Sequence, residues 1–377
     1  MPDSSKRILL VSPSISDHLT DKIEKGLKSG RNVAEVLVGG ILRKELSLPK
    51  GRVVFGSAVS ASYFSRLALY PKMFFKIRKM LKNCGAVYSW SVDTAFVSLL
   101  AAKSLRGKKF IYGYSDVHPV ATRKKGIIPK LVRFVEKTIA KNSDMVVFTS
   151  PLFRTEYFGK MLGLEIEKYA VIENKIHREY ADFILENYNP KPVPERDFVF
   201  GYFGVLTYID AFSFIKQAAK SGIKTLVRGL IGREGREAEL VGGVPNLEYA
   251  GKYKNPEDIP SMFSQIDVSW MIHSFAPETN FQWQMTNRFY EALMMGVPVV
   301  VQKGTAHEDF VLHNDIGLSI DIYSPEESIG LLKKITPQDL KRWRQNLKNL
   351  DKSRYLLGDG EYADMLDKVW RDSSCGV

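Results

Sequence analysis

The segment MTNRFYEALMMGVPVVVQKG, residues 285–304, decides the fold class. Thr286 or Asn287 can cap a helix that begins here, and Gly296 can end it in a left-handed conformation. A proline two residues after that glycine prevents the helix from continuing, and Val297–Val301 is typical of a fully buried strand. A helix joined directly to a core strand is half of a parallel α/β unit, and the strand-end loops of such units bind ligands.

Length and composition predict a two-domain protein. The chain has 377 residues, 45% of them hydrophobic, which exceeds what one hydrophobic core usually supports. Its longest apolar runs are shorter than the roughly 20 residues needed to cross a bilayer. The N-terminus lacks the apolar stretch of a signal peptide, so a cytoplasmic protein is expected. With only Cys84 and Cys375, we expect neither a disulfide framework nor a cysteine metal site.

The positive charge is concentrated in the first half of the chain. Residues 1–192 contain 33 Lys and Arg against 17 Asp and Glu, a net charge of +16. Residues 193–377 contain 21 against 25, a net charge of −4. The basic half therefore indicates contact with an anionic partner.

Two segments with helical periodicity concentrate this charge, and in each an aromatic residue stands among outward-facing basic residues. The predicted membrane-contact residues are Lys72, Phe75, Lys79, Lys82, Lys130 and Arg133. The pattern is typical of an interfacial helix on an anionic membrane, but an ordinary amphipathic helix with a solvated face would also show it. Nucleic acid is not expected as a partner, because the chain has no recognisable nucleic-acid motif or zinc spacing.

Strands and helices alternate in both halves of the chain, which predicts two doubly wound α/β units. The Pro- and charge-rich segment NYNPKPVPERD, residues 187–197, is typical of a linker between them. We therefore expect an N-terminal domain over residues 1–190 and a second domain over 191–355. Residues 356–377 predict a C-terminal helix that packs across the domain junction.

Several motifs, in order along the chain, carry a family resemblance. They are NSDMVVFTS, VIENKIHREYADF with Asn174, FVFGYFG ending at Gly204, YAGKYKNPEDIPSMFSQIDVSW, and MTNRFYEALMMGVPVVV with Arg288 where the family has lysine. In these motifs the sequence resembles the nucleotide-sugar-dependent glycosyltransferases of the GT-B architecture, particularly the retaining family 4. The resemblance implies an α/β fold of two Rossmann-like domains facing a central cleft. It also implies that the second domain binds a nucleotide-sugar donor.

The residue types in the 285–304 segment suit that chemistry. The carboxylate of Glu291 can accept hydrogen bonds from both ribose hydroxyls of a donor. Arg288, one helical turn earlier, can direct its guanidinium toward the diphosphate, and Asn287 lies beside it. A simple i,i+3 salt bridge between Arg288 and Glu291 is the alternative interpretation.

Other candidate donor-binding residues lie at predicted strand ends. A glycine at Gly204 lets backbone N–H groups approach a phosphate, although strand-end glycines also serve turns alone. Arg228 follows a neighbouring strand and can add positive charge. Tyr253 can stack on the base, or it is a surface tyrosine with no such role.

The first domain supplies candidate catalytic residues after the strand KKFIYGY. Many members of the family have His-Asp at the end of this strand, and the resemblance implies a role for Asp116 and His118 in orienting the transferred sugar. Here the order is changed, because His118 lies two residues beyond Asp116 and directly before a proline. The alternative interpretation of His118 is a loop residue whose hydrogen bonds are made by the backbone. The family's commonest donor signature also has a glutamate eight residues before the position of Glu291. That residue is Trp283 in this chain, and Glu278 is the nearest alternative carboxylate.

The sequence has no Asp-x-Asp pair, so we expect no metal and no other cofactor. The predicted function is a glycosyltransferase that moves a sugar from a UDP- or GDP-sugar to a lipid-linked or polysaccharide acceptor. It would act as a peripheral protein on the inner face of the cell membrane, with retention of configuration implied by the resemblance. A nucleotide-sugar 2-epimerase of the same fold and a catalytically silent partner subunit are the alternatives.

Overall fold

Both halves of the chain fold into the alternating strands and helices that the sequence predicts. The computed structural model describes residues 6–15, 18–30, 33–43, 49–58, 66–118, 120–123, 125–206, 209–231, 241–273 and 280–371. The chain divides into two units. The first comprises Met1–Glu173 and Gly358–Val377, and the second comprises Asn174–Leu357.

The first unit is built on a parallel sheet, which among its described residues has seven strands. These are β1 (Arg7–Ser12), β2 (Glu35–Arg43), β3 (Val53–Ala58), β4 (Ala86–Trp90), β5 (Lys109–Tyr114), β6 (Met145–Phe148) and β7 (Tyr169–Val171). Their order across the sheet is β3-β2-β1-β4-β5-β6-β7. The β1, β4, β5 and β6 segments are almost entirely buried, as the apolar runs predict for a sheet covered on both faces.

Helices cover both faces of this sheet. They are α1 (His18–Lys28), α2 (Tyr70–Leu81), α3 (Val92–Lys103), α4 (Ile127–Lys141), a π-helix (Phe153–Met161) and α13 (Asp359–Arg371). Right-handed crossovers place α2, α3 and α4 on one face and α1 on the other. In keeping with this, α3 contacts both α2 and α4, and α13 packs against α1.

The second unit contains a six-stranded parallel sheet within its described residues, in the order β11-β10-β9-β12-β13-β14. Its strands are β9 (Val199–Leu206), β10 (Lys224–Ile231), β11 (Leu247–Tyr249), β12 (Val268–Met271), β13 (Val299–Gln302) and β14 (Gly317–Ile320), with a separate pair β8 (Ile176–His177) and β15 (Leu356–Leu357). Its helices are α5 (Arg178–Asn187), α6 (Ile209–Lys220), α7 (Ile259–Phe263), α8 (Asn280–Trp283), α9 (Asn287–Met295), α10 (Ala306–His313), α11 (Pro325–Lys333) and α12 (Pro337–Asn349).

The 285–304 segment forms the helix and strand that it predicts. Helix α9 ends at Gly296, whose φ of +68° is the left-handed conformation that favours glycine, and β13 is fully buried. Thr286 occupies the N-cap position but its side chain makes no capping hydrogen bond. Its Oγ1 lies 3.5 Å from Nε2 of His307 instead.

The division into units differs from the predicted boundary at 190/191, since the second unit begins at Asn174. Helix α5, which the sequence analysis did not identify, packs its buried residues into the core of the second unit. The predicted linker also belongs to this unit, because the fully buried carboxylate of Asp267 accepts a hydrogen bond from Lys191 Nζ at 2.8 Å. At the other end, Gly358–Val377 belongs to the first unit.

Removing the Asp267 carboxylate should destabilise the second unit. It pairs with Lys191 and with Arg344 and accepts from the backbone N–H of Val199. We expect Asp267→Ala to lower the free energy of unfolding by about 3–5 kcal/mol, because partly buried charges lose their partner. Urea denaturation followed by circular dichroism measures this. Asp182→Ala, on the exposed side of α5, should change it by less than about 0.5 kcal/mol, and equal losses would contradict the account.

Candidate functional site

The strand order of the second sheet marks one pair of strands as a candidate ligand-binding position. From β9 the chain proceeds to β10 and β11 on one side, and it then returns to place β12 on the other side of β9. The β9–β12 pair is therefore the point at which the direction of the strand order reverses. Such a switch point, at the carboxyl ends of parallel strands, is where open α/β sheets bind ligands.

Arg288, at the start of α9, brings its guanidinium to this switch point. Its Nη2 donates to the backbone oxygen of Ile272, just after β12, at 3.2 Å, and to Nε2 of His273 at 2.7 Å. Its Nη1 donates to the backbone oxygen of Phe203 in β9 at 3.5 Å. The guanidinium also lies over the ring of Tyr202, 4.1 Å from its centroid. These contacts fix the orientation of the side chain.

The charge of this guanidinium is buried, and no described residue supplies an anionic partner for it. Arg288 is only 8% exposed, and among the described residues no carboxylate lies within salt-bridge distance of it. Its partners are two carbonyls, an imidazole and an aromatic ring, all of them neutral. The alternative of a simple salt bridge to Glu291 is therefore not what the structure shows. A buried cation in neutral surroundings favours an anionic ligand.

Glu291 lies one turn further along α9 and is 6% exposed. Its Oε1 accepts a hydrogen bond from Nδ2 of Asn255 at 3.0 Å. Tyr253 is half-buried rather than a surface tyrosine. Burial, and after it the negative charge of Glu291, raises the pKa of its hydroxyl.

Two buried histidines complete the surroundings of the arginine. The ring nitrogen of His273 must accept the hydrogen bond from Arg288, so this imidazole is neutral, and burial together with the positive charge of Arg288 lowers its pKa well below the usual value. The His273 ring stacks on Phe281 with centroids 4.5 Å apart. His307 accepts from the backbone N–H of Thr286, and burial lowers its pKa to about 3.

Gly204 brings backbone close to the guanidinium. Its φ of +136° is a conformation that L side chains rarely adopt, and a Cβ there would lie 3.6 Å from Nη1 of Arg288. At its sheet neighbour Gly229 a Cβ has no room, because it would lie 2.0 Å from the Gly204 oxygen. The glycine at 229 therefore lets the backbones of β9 and β10 approach each other closely near their carboxyl ends.

The remaining predicted donor-binding residues lie in different surroundings. Arg228 donates to the backbone oxygen of Lys252 at 3.0 Å and pairs with Asp258 at 3.5 Å, so its charge is already compensated within the loop after β11. Asn287 has a buried Oδ1 with no partner in the part of the chain that the structure describes. Glu278 lies outside the described residues.

In the first unit, Asp116 and His118 follow β5 as predicted. Asp116 is exposed and His118 is half-buried. Nδ1 of His118 accepts from the backbone N–H of Val120 at 3.2 Å, and burial lowers its pKa. This histidine is therefore held partly by its own loop. The charge of Asp93, which the sequence analysis did not identify, acts on His118 in the opposite direction.

The predicted membrane-contact residues lie on α2 and α4. Lys72, Phe75, Lys79, Lys82 and Lys130 are exposed. Arg133 differs from the prediction, because it is half-buried and its Nη1 donates to the backbone oxygens of Ala121 at 2.8 Å and Arg123 at 3.0 Å. Its charge therefore holds a loop of the protein.

The chain is similar to solved structures over nearly its whole length. It matches sucrose-phosphate synthase from Thermosynechococcus elongatus with a TM-score of 0.68 and 14% identity, covering 99% of this chain and 100% of that one. It matches Anabaena HepE, crystallised in complex with UDP, with a TM-score of 0.66 and 15% identity, covering 97% and 100%. The fold is GT-B.

Sequence comparison agrees with the GT-B assignment. Residues 245–366 match the family model described as Glucosyltransferase 3-like, C-terminal domain, so this part of the chain is a glycosyltransferase domain. The succinoglycan biosynthesis protein ExoL of Rhizobium meliloti (strain 1021) is 25% identical over 237 residues, 60% of this chain and 58% of that protein. The predicted GT-B fold and the resemblance to glycosyltransferases are confirmed.

Two kinds of feature are absent from the described residues. No described helix combines the length and apolar character that a bilayer crossing requires. Within the same residues, no group of three or more His, Cys, Asp and Glu side chains is arranged to hold a metal ion.

The depressed pKa of His307 makes stability depend on pH. In the unfolded chain the pKa of this histidine is about 6.5, and in the folded protein it is about 3. The contribution of His307 to the free energy of unfolding is therefore complete above pH 6.5 and is lost as the pH falls toward 3, because the unfolded chain binds the proton more readily. Between pH 7 and pH 5 we expect His307 to contribute a loss of about 2 kcal/mol in the free energy of unfolding.

Urea denaturation of wild type and His307→Gln at both pH values measures that contribution. Glutamine can still accept from the Thr286 N–H but does not titrate, so its stability should fall about 2 kcal/mol less between the two pH values. Identical pH dependence in the two proteins would contradict the neutral buried histidine.

Proposed function

We propose that the chain transfers a sugar from a UDP- or GDP-sugar to a lipid-linked or polysaccharide acceptor. The observation that carries this proposal is the buried charge of Arg288, which meets no carboxylate among the described residues, at the switch point of the second sheet of a GT-B fold. The relatives support it: HepE was crystallised with UDP and with UDP-glucose, and ExoL is named for succinoglycan biosynthesis. Since this chain spans 58% of ExoL, the activity, acceptor and partners are proposals.

In the proposed donor complex the diphosphate lies against Arg288. The Nε–H of this arginine is buried, has no hydrogen-bond partner in the described part of the chain and can donate to a phosphate oxygen. The buried Oδ1 of the adjacent Asn287, also without a partner among those residues, can only accept, from a hydroxyl group of the nucleotide-sugar. Gly204 has no side chain of its own, and a Cβ there would lie 3.6 Å from Nη1 of Arg288, so its backbone lies close to the guanidinium and can approach the phosphates. Polar atoms that can bind the nucleotide-sugar are thus present beside the buried positive charge.

The nucleoside part of the donor extends along α9. Glu291 accepts the ribose hydroxyls, with Asn255 holding one of its oxygens in place at 3.0 Å. Tyr253, beside the same carboxylate, lies near the base. Arg228 contributes a more distant positive charge, since its guanidinium is paired with Asp258.

In the proposed reaction, the bond from the anomeric carbon to the diphosphate oxygen breaks while an acceptor hydroxyl oxygen bonds to that carbon. Nucleoside diphosphate leaves, and the hydroxyl proton is released. Arg288 stabilises the charge that develops on the diphosphate, so we propose a metal-independent transfer. Asp116 and His118 are the proposed catalytic residues of the first unit. Retention of configuration rests on the family resemblance, and the products' anomeric signals in NMR would establish it.

Nucleotide binding tests the donor site directly. We expect UDP or GDP to raise the melting temperature of the wild type and ADP to do so less, with Glu291→Ala losing most of that rise. Glu326→Ala, on the exposed face of α11, is the matched control and should keep the full rise. Equal rises in Glu291→Ala and wild type would remove Glu291 from the donor site.

Turnover distinguishes transfer from the alternatives. A transferase releases nucleoside diphosphate faster when an acceptor glycan is added, whereas a 2-epimerase releases it without one. A silent partner subunit neither binds nor turns over the donor. We expect acceptor-stimulated release in wild type and a loss of at least about a hundredfold in Arg288→Lys, because a point charge cannot reproduce the fixed guanidinium. Unchanged release in Arg288→Lys would contradict the role of Arg288.

A further inference from the structure

One face of the first unit carries exposed apolar side chains on three adjacent helices, α2, α3 and α4. Each side chain is between 46% and 84% exposed: Phe75, Leu100, Ile127, Ile128, Leu131 and Phe134. We call these residues, with the exposed lysines beside them, the basic apolar face. Four of the six lie in the first eight residues of α4, so the apolar surface is concentrated at one helix end. A cluster of this kind marks an interaction site.

On α4 the exposed apolar residues form a stripe. Ile127, Leu131 and Phe134 recur at spacings of four and three residues, which places them on one side of the helix. The opposite side contains the buried Glu136 and Ile139, which face the protein. The stripe is therefore not part of the hydrophobic core.

The charge on these three helices is almost entirely positive. Their sequences contain nine Lys and Arg against two acidic residues, Asp93 and Glu136. Asp93 pairs with Arg66 at 3.1 Å, and Glu136 is fully buried. No exposed carboxylate on the three helices offsets the lysines, so the face is complementary to an anionic surface.

The stripe on α4 is held in place from beneath. Tyr157 and Tyr114 both donate to the Glu136 carboxylate, the latter at 3.3 Å, and so tie the helix to β5 and the π-helix. Arg133 ties the same helix to the loop that precedes it, through the backbone oxygens of Ala121 and Arg123. The apolar side chains are thus presented on a fixed scaffold.

We propose that the basic apolar face lies on an anionic lipid bilayer. Ile127, Leu131 and Phe134 enter the boundary between headgroups and acyl chains, and Lys130 and the lysines of α2 contact the lipid phosphates. A nucleic-acid partner would explain the lysines but not the exposed aliphatic and aromatic side chains. The proposal goes beyond the glycosyl transfer itself, since lipid binding needs no donor, and it places the protein where a lipid-linked acceptor is found.

Vesicle co-sedimentation tests this proposal. We expect the full-length protein to bind vesicles of equimolar phosphatidylglycerol and phosphatidylcholine, to bind pure phosphatidylcholine far less, and to dissociate as salt is raised. The variant Leu131→Ser/Phe134→Ser should bind at least about tenfold more weakly, because two anchoring side chains are lost. Leu312→Ser, an exposed leucine on α10 of the second unit, is the matched control and should bind as wild type does.

The controls separate the outcomes. Circular dichroism and the nucleotide-induced rise in melting temperature should be unchanged in the double variant, so a failure of lipid binding is distinguished from a failure of the donor site. No binding of wild type to the anionic vesicles, or equal binding by the double variant, would overturn the proposal. So would sedimentation velocity that showed a dimer abolished by the double substitution, because the face would then be a contact between two copies.

Discussion

The proposed donor site depends on one buried guanidinium, whose contacts among the described residues are all with neutral groups. Arg288 is fixed by the carbonyls of Ile272 and Phe203, by His273 and by the ring of Tyr202, and among the described residues it meets no carboxylate. Burying a charge in this way is unfavourable unless an anion arrives to compensate it. The buried cation therefore favours an anionic ligand such as a diphosphate, and it lies at the position where sheets of this kind bind ligands.

The surroundings of Arg288 follow from the same constraint. His273 stays neutral because it accepts from a permanent cation, and a protonated imidazole there would place two positive charges 2.7 Å apart. Gly204 brings backbone without a side chain close to the guanidinium. Glu291 is hydrogen-bonded to Asn255 and makes no ion pair with the arginine among the described residues, which leaves the carboxylate and the guanidinium as two separate charged groups.

Much of the fold could be predicted from the sequence, but less of the site. Helix α9 and strand β13 were predicted by Gly296, its nearby proline and the valine run, because those signals are local. The start of the second unit at Asn174 could not be predicted, since it depends on α5 packing Ala181 and Ile184 into a core formed by residues far along the chain. The roles of His273 and Tyr202 around Arg288 also depend on contacts between distant strands. The sequence contains one local signal for His273, namely a histidine directly after the buried strand in VSWMIH.

A crystal structure with bound UDP would test the central claim most directly. The account predicts diphosphate oxygens within hydrogen-bond distance of the Arg288 guanidinium, and ribose hydroxyls on the Glu291 carboxylate. A diphosphate bound elsewhere on the second unit, with Arg288 still enclosed by its neutral partners, would contradict it.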